Sequence, residues 1–70
     1  MGKTIQITLA SARVNAGLTQ SEVAKKIGVT ARTIWEWENE KSEPRISQAY
    51  MLSECYNMPL DNIFFGNKSQ

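Results

Sequence analysis

A stripe of polar and aromatic side chains recurs at three- and four-residue spacing along Ala31–Asn39. It consists of Arg32, Trp35, Glu36 and Asn39, and residues so spaced share one helix face. The Arg32 guanidinium can bond bidentately to guanine O6 and N7, and the Glu36 carboxylate can accept a hydrogen bond from cytosine N4. If the segment is helical, this face has the chemistry that reads base edges in the DNA major groove.

The charged members of this stripe also have a simpler explanation, because charged residues on an outer helix face are usually only solvated. Arg32 and Glu36 alone are therefore weak evidence for a site. Trp35 is stronger evidence, since exposed aromatic side chains often mark contact surfaces. Its ring can press on a thymine methyl or pack along the sugar, and Ala31 can meet a methyl group or let the helix approach closely. Trp37 falls on another face and is predicted to lie in the core.

Two helix-start signals and a glycine divide Leu18–Lys41 into two short helices. Thr19 and Glu22 have the spacing of a capping box, in which each side chain bonds the other residue's backbone N–H. Gly28 can take the left-handed conformation that ends a helix. Thr30 can cap the next helix. Two capped helices joined by so short a turn have the layout of a helix-turn-helix, whose second helix enters the major groove.

Apolar spacing is helical almost throughout the chain, and it predicts five helices. They cover about residues 9–16, 20–27, 31–39, 46–56 and 59–64. Pro44 separates the third helix from the fourth, Asn57 can end the fourth, and Pro59 suits the start of the fifth. We therefore expect an all-α, compact five-helix domain over residues 1–66, followed by a polar tail over 67–70.

Composition bounds the possible functions. The 70 residues allow one small domain, and eight basic against seven acidic side chains give a net charge of only +1. The DNA hypothesis therefore depends on geometry, because the usual basic excess is missing. No apolar run approaches the roughly 20 residues of a membrane span, and the lone Cys55 fits a reducing compartment, so we predict a cytoplasmic location. With no histidine and no ligand cluster, we expect no enzyme activity, metal or cofactor.

Taken together, these segments resemble the lambda-repressor-like helix-turn-helix domains, the Cro/CI or XRE group of phage and bacterial transcription regulators. The resemblance rests on ARVNAGLTQSEVAKKIGVT, ARTIWEWENEK, the following Pro44 and the closing LDNIFF, and it covers about residues 7–64. It implies a lambda-repressor-like fold, a role in DNA binding and transcription regulation, and a place in the bacterial cytosol or nucleoid.

The resemblance also implies roles for individual residues. Those that meet DNA bases or the adjoining sugar are Thr30, Ala31, Arg32, Trp35 and Glu36. Those that contact phosphates are Gln20, Asn39, Lys41 and Arg45. A structural salt bridge is implied between the first and third helices, from Arg13 to Glu38.

Two positions depart from the pattern of the family. Glu40 stands where a glycine is usual, so a left-handed backbone there would cost of order 1 kcal/mol. Its carboxylate, with that of Glu43, also lies near the expected phosphates and should weaken non-specific binding. Ala31 replaces an amide side chain that often reads adenine, which leaves the preferred DNA sequence open.

The leading hypothesis is a sequence-specific regulator, Cro-like and of phage or prophage origin, that represses by occupying a pseudo-palindromic operator as a homodimer. Its half-sites would lie about 34 Å apart. The absence of a following ligand domain or oligomerisation tail favours this minimal type. The dimer candidates are Tyr50, Leu60, Phe64 and Phe65. A short edge strand of Ile5 and Ile7 paired between subunits is a second possibility.

The main alternative is a protein-interaction module, such as an antitoxin or anti-repressor. In that case Trp35 and Glu36 on the outer face of the third helix would bind a partner protein, because exposed aromatic residues serve protein interfaces equally well. The near-neutral charge favours this alternative mildly.

Overall fold

The computed structural model describes residues 6–64, apart from the side chain of Phe64. The described chain forms four α-helices, one 3-10 turn and two short strands. In chain order these are β1 (Ile7–Thr8), α1 (Leu9–Asn15), α2 (Gln20–Ile27), α3 (Ala31–Glu38), α4 (Ile46–Cys55), the 3-10 turn Leu60–Asn62 and β2 (Ile63–Phe64). The first four predicted helices are present with ends within one residue of the prediction. The predicted tail over 67–70 lies outside the described residues.

Threonine hydroxyls begin each of the first three helices. Thr8 accepts from the amide of the third helical residue of α1, and Thr30 does the same for α3. At the start of α2, Thr19 Oγ1 accepts from the Glu22 amide at 3.1 Å, and Glu22 Oε1 accepts from the Thr19 amide at 2.8 Å. Gly28 ends α2 with a φ of 88°, in the left-handed region. Local hydrogen bonding therefore accounts for the helix-turn-helix formed by α2 and α3.

The start of α4 lies where the sequence predicts it, but without the side-chain cap found at the first three helices. The helix begins at Ile46, and Arg45 makes no capping bond with its side chain. The side-chain oxygen Oε1 of Gln48 instead accepts from the Arg45 backbone amide at 2.8 Å. This reciprocal half of a capping box is sufficient to place the first turn.

The predicted fifth helix is wrong. After Pro59 the chain makes a 3-10 turn of three residues and then extends as β2, which pairs in parallel with β1. Ile7 faces Ile63 in this register, so the strand considered for pairing between subunits pairs within the chain. Ile5 lies outside the described residues. Burial of Ile63 beside α1 explains the extended ending, because a strand brings this side chain into the core.

One core cluster joins all four helices and β2. Its members are Leu9, Ala12, Val23, Ala24, Ile34, Trp37, Leu52, Tyr56 and Ile63. Trp37 is buried in this cluster, as predicted, and helix α3 packs mainly against α2. Among the described residues, no helix is both long and apolar enough to cross a membrane.

Candidate nucleic-acid interface

Helix α3 has one face in the core and one in solvent. Ile34 and Trp37 are buried, whereas the Arg32 side chain is 72% exposed and Trp35 also reaches the surface. The spacing of buried and exposed positions follows the helix period, as the sequence predicts. The outer face of α3 is therefore open to a macromolecular partner.

Three of the residues predicted to contact bases form one group on this outer face. The Arg32 Nε donates to Glu36 Oε2 at 3.2 Å, and its Cζ lies 4.6 Å from the centroid of the Trp35 ring. The first contact is an ion pair across one helical turn, and the second is a cation–π contact. We call Arg32, Trp35 and Glu36 the Arg32 cluster.

The other two predicted base contacts are placed differently. Thr30 Oγ1 accepts from the Thr33 amide at 3.1 Å and lies 3.0 Å from the Thr33 hydroxyl, so its polar atom is engaged in capping α3. Ala31 is half-buried and packs against the core cluster. Both residues lie at the N-terminus of α3, but neither belongs to the Arg32 cluster.

Three hydrogen bonds converge on the carboxylate of Glu38, whose side chain is 6% exposed. Arg13 donates from Nε to Oε2 at 2.7 Å and from Nη2 to Oε1 at 3.3 Å, while Gln20 Nε2 donates to Oε1 at 2.9 Å. Arg13 Nη1 also donates to the Leu18 carbonyl at 3.0 Å. We call Arg13, Gln20 and Glu38 the Glu38 network, and it joins α1, α2 and α3.

The Glu38 network has a clear electrostatic character. The hydrogen bond to Glu38 raises the pKa of Arg13, and partial burial opposes that rise. A charged pair at this depth is stable only because the carboxylate accepts several bonds at once. The network therefore fixes the end of α3 relative to the start of α2, the two elements predicted to touch DNA.

Gln20, a predicted phosphate contact, is the first residue of α2. One hydrogen of its amide is engaged by Glu38, but an amide nitrogen carries two, so a second donor remains for a phosphate. Its position at a helix N-terminus adds the favourable field that this end offers an anion.

The remaining predicted phosphate contacts follow α3. Lys41 and Arg45 are exposed. Asn39 is also exposed, but its Nδ2 donates to the Trp35 carbonyl at 2.9 Å and helps to end the helix. Sequence reasoning missed this capping role, because Asn39 has a φ of −102° and so does not adopt the left-handed conformation in which asparagine usually ends a helix. Glu40 has a φ of 59°, so the left-handed backbone considered at this position is present.

The residues predicted for a dimer surface are only partly described. Tyr50 is 59% exposed on α4, and Leu60 is half-buried. The side chain of Phe64 and all of Phe65 lie outside the described residues. Ile46 lies three residues before the buried Ala49, a spacing that predicts a place on the inner face of α4, yet it is 74% exposed and stands one turn before Tyr50. These two residues form an exposed apolar pair, which we call the α4 patch.

The free cysteine Cys55 and several acidic side chains lie outside these groups. Within 6–64, no three histidine, cysteine or acidic residues come close enough to hold a metal ion. Burial raises the pKa of the Cys55 thiol, while the charge of Lys26 opposes that rise. The thiol is therefore protonated near neutral pH and a poor nucleophile.

Comparison with known proteins agrees with this geometry. A helix-turn-helix family, HTH_3, matches residues 9–63. An uncharacterised HTH-type transcriptional regulator of Archaeoglobus fulgidus is 36% identical over 52 residues, which cover 74% of this chain and 74% of that protein. A second such regulator of the same archaeon is 31% identical over 58 residues, covering 83% of this chain and 82% of its own length. A third, from Methanocaldococcus jannaschii, is 34% identical over 47 residues, which cover 67% of this chain and 71% of that protein. The matched region contains all four helices, the Arg32 cluster and the Glu38 network, and the chain belongs to the helix-turn-helix family of the Cro/CI type.

Proposed function

We propose that this chain is a sequence-specific double-stranded DNA-binding transcriptional regulator that acts by occupying its operator. The observation that carries the proposal is the outer face of α3, where the Arg32 cluster projects from a helix held by its opposite face in the core. Arg32 offers the hydrogen-bond geometry that suits a guanine edge. The names of the archaeal relatives, all HTH-type transcriptional regulators, support the same role.

The surroundings of α3 support DNA as the partner despite the low net charge. Gln20 lies beside the end of α3 through its bond to Glu38, and Lys41 and Arg45 are exposed just after it. Donors grouped around one end of a reading helix can contact phosphates, and such contacts set the register of the protein on the duplex. Glu40 and Glu43 lower the local positive charge, so we expect weak non-specific binding and a large specificity ratio.

The dimeric, Cro-like mode is part of this proposal. A homodimer would place two α3 helices in successive major grooves about 34 Å apart, which matches a pseudo-palindromic operator. The α4 patch is the part of the described surface that best suits the pairing, since both of its apolar side chains are more than half exposed. Repression by a phage or prophage element would follow if such an operator overlaps a promoter.

The test begins with selection of binding duplexes from a randomised pool, because the operator is unknown. Fluorescence anisotropy then compares the selected duplex with a scrambled one for the wild type, Arg32→Ala and Lys26→Ala. We expect Arg32→Ala to lose about 1–3 kcal/mol on the selected duplex only. Lys26→Ala is the matched control, because it removes one positive charge beside α4 and away from the outer face of α3.

Two results would count against the proposal. One is a selection that enriches no sequence, and the other is an Arg32→Ala variant with unchanged affinity for the selected duplex. In the first case the exposed Trp35 would favour the protein-interaction module, an antitoxin or anti-repressor, and capture of partners with Trp35→Ala as control would separate that function from DNA binding.

A further inference from the structure

We propose that Glu36 is a positioning residue that orients Arg32, and that the Arg32 cluster is a preassembled reader of one guanine in each half-site. This inference rests on the proposed function, and it replaces the direct contact between Glu36 and cytosine considered from the sequence. Its basis is that one N–H donor of the Arg32 guanidinium already bonds Glu36, which leaves the other donors for DNA.

A guanidinium carries five N–H donors, one on Nε and four on the terminal nitrogens. Glu36 Oε2 accepts the single Nε hydrogen at 3.2 Å. The terminal nitrogens of Arg32 remain for a ligand, and their parallel donors match the O6 and N7 acceptors of guanine end-on. No other base presents two acceptors side by side in the major groove, so the division of donors selects guanine.

Trp35 restricts the same guanidinium from one side. Arg32 Cζ lies 4.6 Å from the centroid of the Trp35 ring, within the range of a cation–π contact. With Glu36 on Nε and Trp35 on one face, the guanidinium loses much of its freedom before DNA arrives. Ordering a side chain in advance lowers the entropy cost of binding.

Both partners of Arg32 lie on its own helix, three and four residues further along. The contacts that join the three side chains therefore lie within α3, as expected for residues three and four apart on one helix. The orientation of the cluster toward the groove depends on the Glu38 network, which fixes α3 as a whole.

Exposure and charge both argue against Glu36 as a reader. Its side chain is 34% exposed, whereas that of Arg32 is 72% exposed, so the carboxylate is the more enclosed of the pair. A lone carboxylate is also repelled by the phosphates that border the groove. Pairing with Arg32 neutralises it, and this explains why an acidic residue is tolerated at the centre of the proposed interface.

The experiment probes the guanine edge atom by atom in the selected half-site. Each guanine in turn is replaced by 7-deazaguanine, which lacks the N7 acceptor, or by inosine, which keeps N7 and O6 and loses only the minor-groove amine. Anisotropy titrations are run with the wild type, Glu36→Ala and Glu36→Gln, and circular dichroism checks that each variant is folded. Glutamine is the conservative variant, since its side-chain carbonyl can still accept from Arg32 Nε.

We expect one guanine in each half-site at which 7-deazaguanine weakens wild-type binding about fivefold or more, while inosine has little effect. Glu36→Ala should weaken binding about tenfold and reduce the difference between guanine and 7-deazaguanine at that position. Glu36→Gln should restore most of both properties. A residue with only a structural role would change affinity without changing sensitivity to the N7 atom.

Three outcomes would overturn the inference, and they differ from failure of the proposed function. Sensitivity to 7-deazaguanine at no position would show that Arg32 does not read guanine, although the protein still binds DNA. Unchanged N7 sensitivity in Glu36→Ala, with lost preference at a cytosine, would make Glu36 a direct reader. A wild-type protein that selects no duplex at all would remove the proposed function together with this inference.

Discussion

Gln20 donates to Glu38 across 2.9 Å and thereby joins the first residue of α2 to the last residue of α3. The same carboxylate oxygen also accepts from Arg13 of α1. In the proposed complex, α2 would meet the phosphates and α3 the bases. This bond therefore links the residue that positions the protein on the backbone to the helix that reads the sequence.

Removal of the Glu38 carboxylate should destabilise the fold. We expect Glu38→Ala to lower the free energy of unfolding by about 3 kcal/mol, because Arg13 is left half-buried without its partner. Glu36→Ala is the matched control on the same helix, since its pair with Arg32 is exposed and should contribute less than about 0.5 kcal/mol. Urea denaturation measures both. Equal effects of the two substitutions would contradict a special role for Glu38.

Substitutions of Gln20 and Lys41 should weaken DNA binding in ways that the salt dependence of affinity distinguishes. Both Gln20→Ala and Lys41→Ala should reduce affinity for selected and scrambled duplexes alike, because phosphate contacts carry no sequence information. Lys41→Ala should also lower the slope of log affinity against log salt by about 1, whereas the neutral Gln20 should leave that slope unchanged. Anisotropy titrations at several salt concentrations give the slopes. A loss confined to the selected duplex would place Lys41 at a base, and for Gln20 it would show that its bond to Glu38 orients α3, with no phosphate contact.

Glu40 stores backbone strain that glycine would relieve. With a φ of 59° at this position, Glu40→Gly should be about 1 kcal/mol more stable than Glu40→Ala, which removes the carboxylate but keeps the Cβ. Gly28→Ala should lower the stability, because φ at this position is 88° and an alanine is strained there. No atom lies within 4 Å of the added Cβ, so backbone strain alone would cause the loss. Thermal unfolding of the three variants compares them directly. If Glu40→Gly and Glu40→Ala are equally stable, strain at residue 40 is negligible.

Ionisation of Tyr56 should lower the free energy of unfolding at alkaline pH. Burial raises the pKa of Tyr56 above its ordinary value of 10.0, and the nearby charge of Glu38 adds to the rise. Above pH 10 the unfolded chain releases this proton while the folded chain keeps it, so stability is fully present below that pH and falls as pH rises. By pH 11 the wild type should lose about 1 kcal/mol more than Tyr56→Phe. Urea denaturation at pH 7 and 11 tests this, and parallel losses in both proteins would contradict it.

The α4 patch should control pairing of the chain. We expect Ile46→Glu and Tyr50→Glu to prevent dimers on the selected duplex, because each places a charge where apolar contact is needed. Val14→Glu is the control, since Val14 is also exposed but lies on α1. Sedimentation velocity with and without DNA reports the oligomeric state. Dimers that survive both substitutions on α4 would direct attention to the residues after Ile63.

The helix-turn-helix could be predicted almost completely from sequence because its signals are local. The Thr19 capping box, Gly28 and the Thr30 cap each act within about four residues, so neighbouring residue types determine where α2 and α3 begin and end. The outer stripe of α3 also follows from spacing alone. Even the pair of Arg32 with Glu36 has the spacing of an ordinary helical ion pair.

Sequence alone therefore determined the start and end of the reading helix and the face that it presents, through hydrogen bonds between near neighbours. Only the tertiary structure decided the ending of the chain: Ile63 pairs with Ile7, and a strand replaced the predicted helix because burial of a distant side chain outweighs local propensity. The tertiary structure also decided that Ile46 is exposed, because the elements packed against α4 do not cover the first turn of this helix. The bond from Gln20 to Glu38 belongs to the same class, because a contact between helices depends on how they pack, which no local pattern records.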